Sequence, residues 1–582
     1  MTSSPRAEPA PAPPWVVLGR GDARAVHAVS LDADGNETRR WELAAGEFAD
    51  WVAARERDGA PRWVWSDTPA WYAPLLEAGV RVARCQDLRL CHAILSDSAF
   101  VPFTESLRTA PEWDAASAEG TPAADTLFEV SDAGGSTGVP EGLDSALAEF
   151  ARQRAALASS PQEKRLRLLL AAESAGALIA SELRSAGLPW DAEAHDAILT
   201  GILGARPPGG GSPAELDRTG EAVRAALGDP ALSLDSQPKL LRALHRSGIL
   251  VESTSRWELA QHEHPAIEPL LAYKKLSRLH SANGWGWLAT WVHDGRFRPV
   301  YVPGGVVTGR WASFGGGALQ LPRQLRAAVA ADPGWALIVA DVAQLEPRVL
   351  AGMAGDMAMA DAARGRDLYA GIVERGAVAT RAEAKVAMLG AMYGATTGSS
   401  GRLMPRLRSI FPRAMSLVDD AARTGEEGGI VTTWLGRSSP SPSPGWRETQ
   451  SRAGDAAALP ADERRARQSA RDRGRFTRNF VVQGTAAEWS LTWMAEIRRR
   501  LDALGEVDEA VAAPRSGAAF FRRPHLAFFL HDEVILHVPL QLADAAADAV
   551  RDAAASASRL LFGEFPIDFP LDLHIAETAD KG

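Results

Sequence analysis

Short apolar runs bounded by turn residues alternate along the chain with stretches whose apolar positions recur every three to four residues. In residues 15–100, the strand-like runs WVVLG and AVHAVSL, the turn DADGN and later helical stretches predict a small α/β unit. Residues 146–187 follow a helical pattern that ends at Gly187, and residues 214–290 are mostly helical. No repeat of fixed period occurs, and the length of 582 residues predicts several domains.

The second half of the chain mixes strands and helices. Residues 295–350 contain the strand-like runs FRPVYV and WALIVAD on either side of a Gly-rich loop, and residues 356–425 are helical. A helix is predicted over 475–502, and the segment HLAFFLHDEVILHVPL, residues 525–540, has the pattern of a β-hairpin. Two strand-rich segments therefore flank a long helical region.

Composition adds little to this picture. The chain is 46% hydrophobic and 23% charged. It has no apolar run of about 18 residues, so we expect a globular protein without a membrane span. Its only cysteines, Cys85 and Cys91, are not in a metal-binding spacing, which favours a reducing cytoplasm. The Pro/Ala-rich residues 1–14 lack the features of a secretory signal and are predicted to be a disordered leader.

Charge leaves the function open. The net charge of −10 argues weakly against a nucleic-acid partner, but nucleic acid responds to local surface charge rather than to the total. Seven arginines lie within residues 463–478. Taken alone, such a run is more typical of a solvated helix than of a DNA-binding surface.

Two aspartates in strand-like segments are the first candidates for chemistry. Asp341 follows the apolar run WALIVA, where a strand end can hold a metal-binding carboxylate, although the position also suits a helix N-cap. Asp532 is predicted to lie in mid-strand beside His531, because no Gly, Asn or Pro accompanies it to form a hairpin turn. A buried carboxylate needs compensation, and two divalent cations about 3.5–4 Å apart, shared by both aspartates, would provide it.

The segment TRAEAKVAMLGAMYGATTG predicts a helix that carries a stripe of unusual composition. Arg381, Lys385, Leu389 and Tyr393 recur every four residues and share one face. The cations suit phosphates, and the apolar and aromatic residues suit a sugar and a base, as in a nucleoside triphosphate. An amphipathic helix whose two cations simply reach solvent is the alternative interpretation.

Five segments form an ordered set of motifs. They are TGRWAS (308–313), ADVAQLEPR (340–348), RAEAKVAMLGAMYG (381–394), RFTRNFVVQGTAAEW (475–489) and LHDEV (530–534). Together they make residues 160–582 resemble a family A DNA polymerase of the bacterial DNA polymerase I type, with motifs A, B and C in the second, third and fifth segments. LSLDSQPKLLRAL (232–244) and HPAIEPLLAYKKLSRL (264–279) resemble thumb segments of that family. The resemblance implies template-directed addition of deoxynucleoside triphosphates (dNTPs) to a primer 3′ end.

That resemblance also implies roles for individual residues. Asp341 and Asp532, with the main-chain carbonyl of Val342, are expected to bind two Mg²⁺ ions, for which Mn²⁺ can substitute. Lys385 is expected to protonate the leaving pyrophosphate, and Glu346 to disfavour a 2′-hydroxyl. The residues expected to bind the nucleotide are Arg381, Lys385, Leu389, Tyr393, Glu346 and Gln344. Those expected to contact primer–template DNA are Arg310, Arg475, Asn479, Gln483 and His531.

Several positions depart from the family pattern. Leu389 replaces an aromatic residue, and Tyr369 replaces a histidine. Val342, Ala343 and Pro347 replace Tyr, Ser and Leu in motif A. None of these changes removes a catalytic acid, so activity is still expected, whereas sugar selection and fidelity are expected to differ.

The implied fold is multidomain α+β: a polymerase right hand, with an antiparallel palm sheet and helical fingers and thumb, preceded by an α/β exonuclease-like domain. The expected boundaries are leader 1–14, exonuclease-like domain 15–145, connecting helix 146–195, thumb 196–290, palm 291–365, fingers 366–470 and palm 471–582. From the length of 582 residues we expect no 5′-nuclease domain of the kind that some relatives carry. We expect a monomer in the bacterial cytoplasm, associated with the nucleoid, that acts in DNA repair or replication.

Residues 64–95 resemble the second half of a 3′–5′ exonuclease fold. Active versions carry Asp-x-Glu on the first strand, where this chain has SLDADGNE, and a later Tyr-x3-Asp, which is not found clearly before residue 160. No Asp follows Ser66 at the matching place either. We therefore predict a degenerate domain without proofreading. A bifunctional exonuclease/polymerase, a non-catalytic DNA-binding homologue and an exonuclease with a vestigial polymerase half are the alternatives.

Overall fold

The computed structural model describes residues 15–22, 25–102, 104–114, 138–314, 317, 321–365, 367–394, 398–455 and 457–580. The predicted leader and residues 115–137 of the predicted exonuclease-like domain lie outside the described residues. Internal contacts divide the chain into two units. The first comprises Met1–Ala186, Val300–Phe314 and Pro333–Ala576; the second comprises Gly187–Pro299, Gly315–Asp332 and Glu577–Gly582.

The first unit begins with a five-stranded sheet. Its strands are β1 (Trp15–Arg20), β2 (Val26–Leu31), β3 (Glu37–Leu43), β4 (Arg62–Trp65) and β5 (Arg84–Asp87). The spatial order is β3-β2-β1-β4-β5, in which β1 to β3 form an antiparallel meander and β4 and β5 run parallel to β1. The strands predicted from WVVLG and AVHAVSL are confirmed. The segment SLDADGNE was wrongly placed at the first strand, because it spans the end of β2, a turn and the start of β3.

Strands β1, β2, β4 and β5 are buried on both faces of this sheet, whereas the edge strand β3 is mostly exposed. Successive side chains of a strand point to opposite sides and so enter different clusters. Val16 and Leu18 pack in one apolar cluster, whereas Val17 packs in another. Trp63 belongs to the cluster of Val16 and Leu18, and Val64 belongs to the cluster of Val17. The helices of this part of the chain are α1 (Phe48–Asp58), α2 (Thr68–Glu77), α3 (Leu88–Asp97), α4 (Glu105–Arg108), α5 (Leu143–Ser159) and α6 (Glu163–Ala186).

The second unit is mainly helical, as predicted for residues 214–290. Its strands are β6 (Leu188–Pro189), β7 (Val292–His293) and β8 (Arg296–Phe297), which form a small sheet in the order β6-β8-β7. Its helices are α7 (Ala192–Leu203), α8 (Ala214–Leu227), α9 (Gln237–Arg246), α10 (Arg256–Leu259), α11 (Ile267–Asn283) and α12 (Trp285–Trp291). Val223, Leu244 and Leu270 unite α8, α9 and α11 in one apolar core.

The remaining strands of the first unit form two sheets. They are β9 (Val300–Val302), β10 (Ala312–Phe314), β11 (Trp335–Val342), β12 (His525–Leu530), β13 (Glu533–Pro539) and β14 (Leu571–Ala576). β9 pairs with β10, and the other four form an antiparallel sheet in the order β12-β13-β11-β14. β11, predicted from WALIVAD, is central and almost wholly buried, which explains its continuous apolar run.

The helices that accompany this sheet include one of 44 residues. They are α13 (Leu345–Ala354), α14 (Met357–Ala363), α15 (Leu368–Glu374), α16 (Arg381–Tyr393), α17 (Gly398–Ile410), α18 (Pro412–Glu426), α19 (Pro444–Ala453), α20 (Pro460–Ala503) and α21 (Ala543–Phe562). The prediction of helices over 356–425 is confirmed. The helix predicted to begin at residue 475 begins at Pro460, because proline at N1 and acids in the first turn favour a helix start there.

No helix within the described part of the chain is both long and apolar enough to cross a membrane. Cys85 and Cys91 are buried free thiols, and burial raises the pKa of each. The arginine-rich residues 463–478 lie in the first half of α20, where five of their seven arginines are exposed.

Candidate active site

Asp341 and Asp532 come to the same edge of the four-stranded sheet from neighbouring strands. Asp341, near the end of β11, pairs with Glu533, the first residue of β13. The main-chain N–H of Val342 donates to the main-chain oxygen of Asp532 at 3.0 Å. Backbone pairing therefore fixes the positions of the two aspartates relative to each other.

The prediction that Asp532 lies in mid-strand is wrong. Leu530 at the end of β12 pairs with Glu533 at the start of β13, so His531 and Asp532 form a two-residue hairpin turn. His531 has a φ of 59°. Such turns favour Gly or Asn, but histidine also occupies the left-handed region more often than most residues. Asp532 is therefore half-buried at a turn instead of buried within a strand.

The two carboxylates repel each other unless a cation lies near them. Burial, followed by the charge of Asp341, raises the pKa of Asp532 to about 6. A divalent cation would remove this repulsion, because it favours the ionised form of both groups. The electrostatics of the pair therefore fit a bound metal ion.

The donor set suits magnesium or manganese. Carboxylate and carbonyl oxygens are preferred ligands of these hard cations. Within the described ranges, no three or more acidic, histidine or cysteine side chains form a group that could hold a metal. Mg²⁺ is commonly bound by one or two carboxylates together with substrate phosphates and water. Asp341, Asp532 and the Val342 carbonyl thus fit a cation shared with a phosphate-bearing substrate.

Helix α16 presents the predicted cationic stripe. Thr380 and Glu383 form a capping box at its start, which explains why the helix begins at Arg381. Gly394, with a φ of 74°, ends it in the left-handed conformation that glycine adopts without strain. Lys385 on this helix is exposed. The capping residues therefore fix where the helix begins and ends. Of the stripe, Arg381 and Lys385 are exposed, and Leu389 and Tyr393 are half-buried.

Arg381 is held by residues outside its own helix. Its guanidinium donates to Asp367 at 2.7 Å and lies 5.6 Å from the centre of the Tyr369 ring. Burial acts to raise the pKa of Asp367, but the hydrogen bond and charge of Arg381 outweigh it and lower that pKa. Asp367 also accepts a hydrogen bond from Gln344 Nε2 at 3.0 Å. Asp367 was not predicted as a site residue, and its only sequence signal is its N-cap position before the helical run LYAG.

Glu346 connects residues from four separate segments. The Tyr393 hydroxyl donates to its Oε2 at 2.5 Å, and Arg310 forms an ion pair with its other oxygen. Gln483 Nε2 donates to the Tyr393 hydroxyl oxygen at 3.4 Å. The structure thus joins Glu346 and Tyr393, predicted to bind the nucleotide, to Arg310 and Gln483, predicted to bind DNA.

The other predicted residues lie on neighbouring elements. Arg475 is exposed on α20 and forms an ion pair with Asp472. Asn479 is half-buried, and its side-chain oxygen has no hydrogen-bond partner among the described residues. Leu389 is half-buried on α16, and His531 is exposed at the hairpin turn. Arg475, Asn479 and Gln483 are four residues apart and so share one face of α20.

Arg348 is a further residue that the sequence did not assign to the site. It is fully buried and donates to Asp568 at 2.9 Å and to the main-chain oxygen of Ala343 at 3.0 Å. Ala343 follows the β11 strand that carries Asp341. Arg348 therefore secures the loop between the strand end and α13, a role that no sequence spacing reveals.

Comparison with known proteins gives the family. The family model for DNA polymerase family A matches residues 237–579. The thermostable DNA polymerase I of Thermus filiformis is 26% identical over an alignment of 410 positions that covers 63% of this chain and 43% of that protein. DNA polymerase I of Chloroflexus aurantiacus is 28% identical over an alignment of 356 positions that covers 56% of this chain and 34% of that protein. The match thus spans less than half the length of these relatives.

The fold is also shared with a solved structure. The polymerase domain of Pol1 from M. smegmatis, in complex with DNA primer–template and dNTP, matches 98% of this chain and 96% of that one. The TM-score is 0.66 and the sequence identity 18%, so this likeness concerns the fold. The chain belongs to DNA polymerase family A, and the predicted α+β polymerase fold is confirmed.

Proposed function

We propose that this chain is a DNA-directed DNA polymerase that adds dNTPs to the 3′ end of a primer on a DNA template. The observation that carries the proposal is the placement of Asp341 and Asp532 at one sheet edge in a family A chain. The related M. smegmatis domain was solved with primer–template and dNTP. Primer extension by the purified protein with Mg²⁺ tests the activity directly, and a non-catalytic DNA-binding homologue would give none.

We assign the metal-binding role to Asp341, Asp532 and the carbonyl of Val342, with two Mg²⁺ ions, or Mn²⁺ in their place. Such ions stabilise the charge that develops in phosphoryl transfer. Arg381 and Lys385 bind the triphosphate, and Lys385 donates a proton to the leaving pyrophosphate. This assignment is supported by the exposure of Lys385 and by the two contacts that fix Arg381.

The assigned nucleotide pocket also includes Glu346, Tyr393, Leu389 and Gln344. Gln344 acts indirectly, because its side-chain oxygen accepts from the Leu368 N–H at 3.2 Å while its amide holds Asp367. The primer–template contacts are assigned to Arg310, Arg475, Asn479, Gln483 and His531. These residues bind backbone and minor groove, where contacts position a duplex without reading its sequence.

The assigned thumb is 196–290, and the palm and fingers have the boundaries given above. Helix α20 crosses the assigned border between fingers and palm at residue 470. We place the protein in the bacterial cytoplasm as a monomer that works in DNA repair or replication, since two free cysteines suit a reducing compartment.

The exonuclease-like domain is assigned a structural role. Strand β1 carries no acidic residue. A Cβ at Gly19 on this strand would lie 2.2 Å from the main-chain nitrogen and Cα of Leu143, so main chain fills the space beside it. Arg20 N–H donates to the Glu141 main-chain oxygen at 2.7 Å, which holds that segment in place. A metal-binding carboxylate pair on β1 would therefore need both new side chains and a displaced backbone.

The protein is expected not to excise a mismatched primer terminus. The reason is the missing carboxylate pair on β1, since two-metal hydrolysis needs acidic ligands. The measurement is shortening of an end-labelled mismatched primer with Mg²⁺ and without dNTPs, using Asp341→Asn to remove polymerase chemistry. Shortening that persists in Asp341→Asn would instead favour the bifunctional exonuclease/polymerase.

Glu346→Ala is expected to weaken the preference for dNTPs over ribonucleotides. Glu346 is held by Tyr393 and Arg310 in a fixed position, where a 2′-hydroxyl would leave buried polar groups unpaired at roughly 1–3 kcal/mol. Leu389 has no aromatic face, so Leu389→Phe should tighten dNTP binding by up to roughly 1–3 kcal/mol. The measurement is single-nucleotide incorporation efficiency with each sugar, and Glu427→Ala, an exposed change of the same kind, is the control. An unchanged sugar ratio in Glu346→Ala would remove Glu346 from this role.

A further inference from the structure

A cavity in the N-terminal part of the first unit is lined by arginines and lies outside the residues assigned to polymerase chemistry. Its volume is about 750 Å³, and ligand pockets of roughly 300–1,000 Å³ are typical for small molecules. Trp15, Arg62 and Arg84 line it from the beginnings of β1, β4 and β5. Arg154 of α5 and Arg167 of α6 complete the basic lining.

Three of these arginines keep most of their hydrogen-bonding capacity unused, whereas Arg167 donates twice to Glu163. Arg62, Arg84 and Arg154 each donate one hydrogen bond, at 2.8–3.2 Å, to a main-chain carbonyl oxygen. None of the three pairs with a carboxylate among the residues that the structure describes. A guanidinium has five N–H groups, so each of these side chains keeps donors for a ligand.

The lining has a strong excess of positive charge. Among the described lining residues there are four arginines and one acidic residue, Asp34, which lies on the turn between β2 and β3. One of the four, Arg167, pairs with Glu163 at 2.6 Å, so Arg62, Arg84 and Arg154 carry the excess charge. The pKa of Arg62 is lowered, first by burial and further by the charges of Arg84 and Arg167. Like charges in a partly buried cavity are unfavourable, and a bound anion would relieve this cost.

We propose that this cavity binds a small phosphate-bearing molecule through Arg62, Arg84 and Arg154. Arginine forms paired hydrogen bonds with phosphate oxygens, and three guanidiniums can bind two or more negative charges. The Arg62 guanidinium lies 5.4 Å from the centre of the Trp15 ring, and the Phe150 ring packs on the same indole at 5.0 Å, so Trp15 helps to hold Arg62 at the cavity. Binding in this cavity does not depend on polymerase activity, because none of its described lining residues belongs to the assigned polymerase site.

Titration calorimetry with the full-length chain tests this inference, with deoxyadenosine monophosphate and pyrophosphate as separate probes. We expect saturable binding of at least one probe that weakens by about tenfold or more in Arg84→Gln/Arg154→Gln. Lys164→Gln, an exposed cation on α6 outside the cavity, should leave affinity unchanged. Lys385→Ala should weaken only the part of the binding that belongs to the polymerase site and should leave the part that depends on Arg84 and Arg154 unchanged, which separates the two sites. The two probes distinguish a nucleotide from free phosphate.

The midpoint of thermal unfolding and the rate of primer extension of Arg84→Gln/Arg154→Gln should equal those of wild type. This result would show that the fold of the variant is intact. If the double variant is unstable, Arg154→Gln alone, at a half-exposed position, replaces it. The inference is overturned if neither probe binds saturably at millimolar concentration, or if affinity falls in Lys385→Ala but not in the arginine variant. Binding of a single-stranded oligonucleotide alone would also overturn it, because the ligand would then be a polymer.

Discussion

Asp532→Asn is expected to lower the rate of primer extension about a thousandfold. The metal ions that this carboxylate helps to hold lower the activation free energy of phosphoryl transfer by several kcal/mol. Each change of about 1.4 kcal/mol in that free energy corresponds to a tenfold change in rate. Asparagine keeps the shape of the side chain but removes the negative charge beside Asp341. The measurement is single-nucleotide incorporation at saturating dNTP and Mg²⁺.

Binding of primer–template duplex by Asp532→Asn should remain close to wild type, because the loss concerns chemistry. Asp544→Asn makes the same chemical change at an exposed helix position and should keep full activity. Incorporation by Asp532→Asn within about tenfold of wild type would contradict the two-metal assignment. Loss of duplex binding together with activity would point to a folding defect at the hairpin turn.

Arg498→Leu is expected to destabilise the first unit by about 3–5 kcal/mol, because it removes the guanidinium closest to the buried Glu182 carboxylate and leaves Arg81, at 3.5 Å, as its cation. Arg498 on α20 is buried and donates to Glu182 of α6 at 2.7 Å and to the main-chain oxygen of Ala83 at 2.8 Å. The Tyr72 hydroxyl also donates to Glu182, at 2.6 Å. The network thus ties the long helix to the N-terminal sheet region within this unit. The measurement is the midpoint of urea unfolding.

The ionisation of Glu182 gives this network a pH dependence. Burial acts to raise the pKa of Glu182, but the charges of Arg498 and Arg81 outweigh it and hold that pKa at about 2. A carboxyl group whose pKa is lower in the folded state stabilises the fold above its ordinary pKa, and this stabilisation disappears as pH falls towards the folded value. The difference in the free energy of unfolding between wild type and Arg498→Leu should therefore be largest at neutral pH. It should become smaller in acid, below about pH 4.

Two controls isolate the buried pair. Glu182→Leu/Arg498→Leu removes both charges and should recover much of the lost stability. Arg499→Leu removes the adjacent arginine, whose side chain is exposed and whose partner Glu496 keeps Arg500 at 3.7 Å. This change should cost no more than about 1 kcal/mol. An unchanged unfolding midpoint in Arg498→Leu would contradict the structural role of the network.

Much of the local structure was predictable from local physics. The apolar run of β11 predicted a buried strand, and Thr380 with Glu383 at one end and Gly394 at the other set the limits of α16. The motifs also indicated the family, because they combine specific residue types with a fixed order. The identities of Asp341 and Asp532 as candidate acids needed no structure, although their roles stay predictions.

The errors arose where local preference and tertiary pairing disagree. The pairing of Leu530 with Glu533 forces His531 and Asp532 into a turn that their sequence does not favour. The segment SLDADGNE was compared with the first strand of the exonuclease fold, whereas it belongs to the hairpin between β2 and β3. Register between strands is set by the partner strand, so a single stretch of sequence could not give it.

The sequence by itself determined the order of elements, the family motifs and the chemical types at the candidate site, because these depend on neighbouring residues. Tertiary structure alone decided which distant groups meet. It joined Glu346 to Arg310 and Tyr393, and it placed Arg62, Arg84 and Arg154 around one cavity. Such contacts depend on packing between segments far apart in the chain, and the free energy of a buried charge depends on every group that surrounds it.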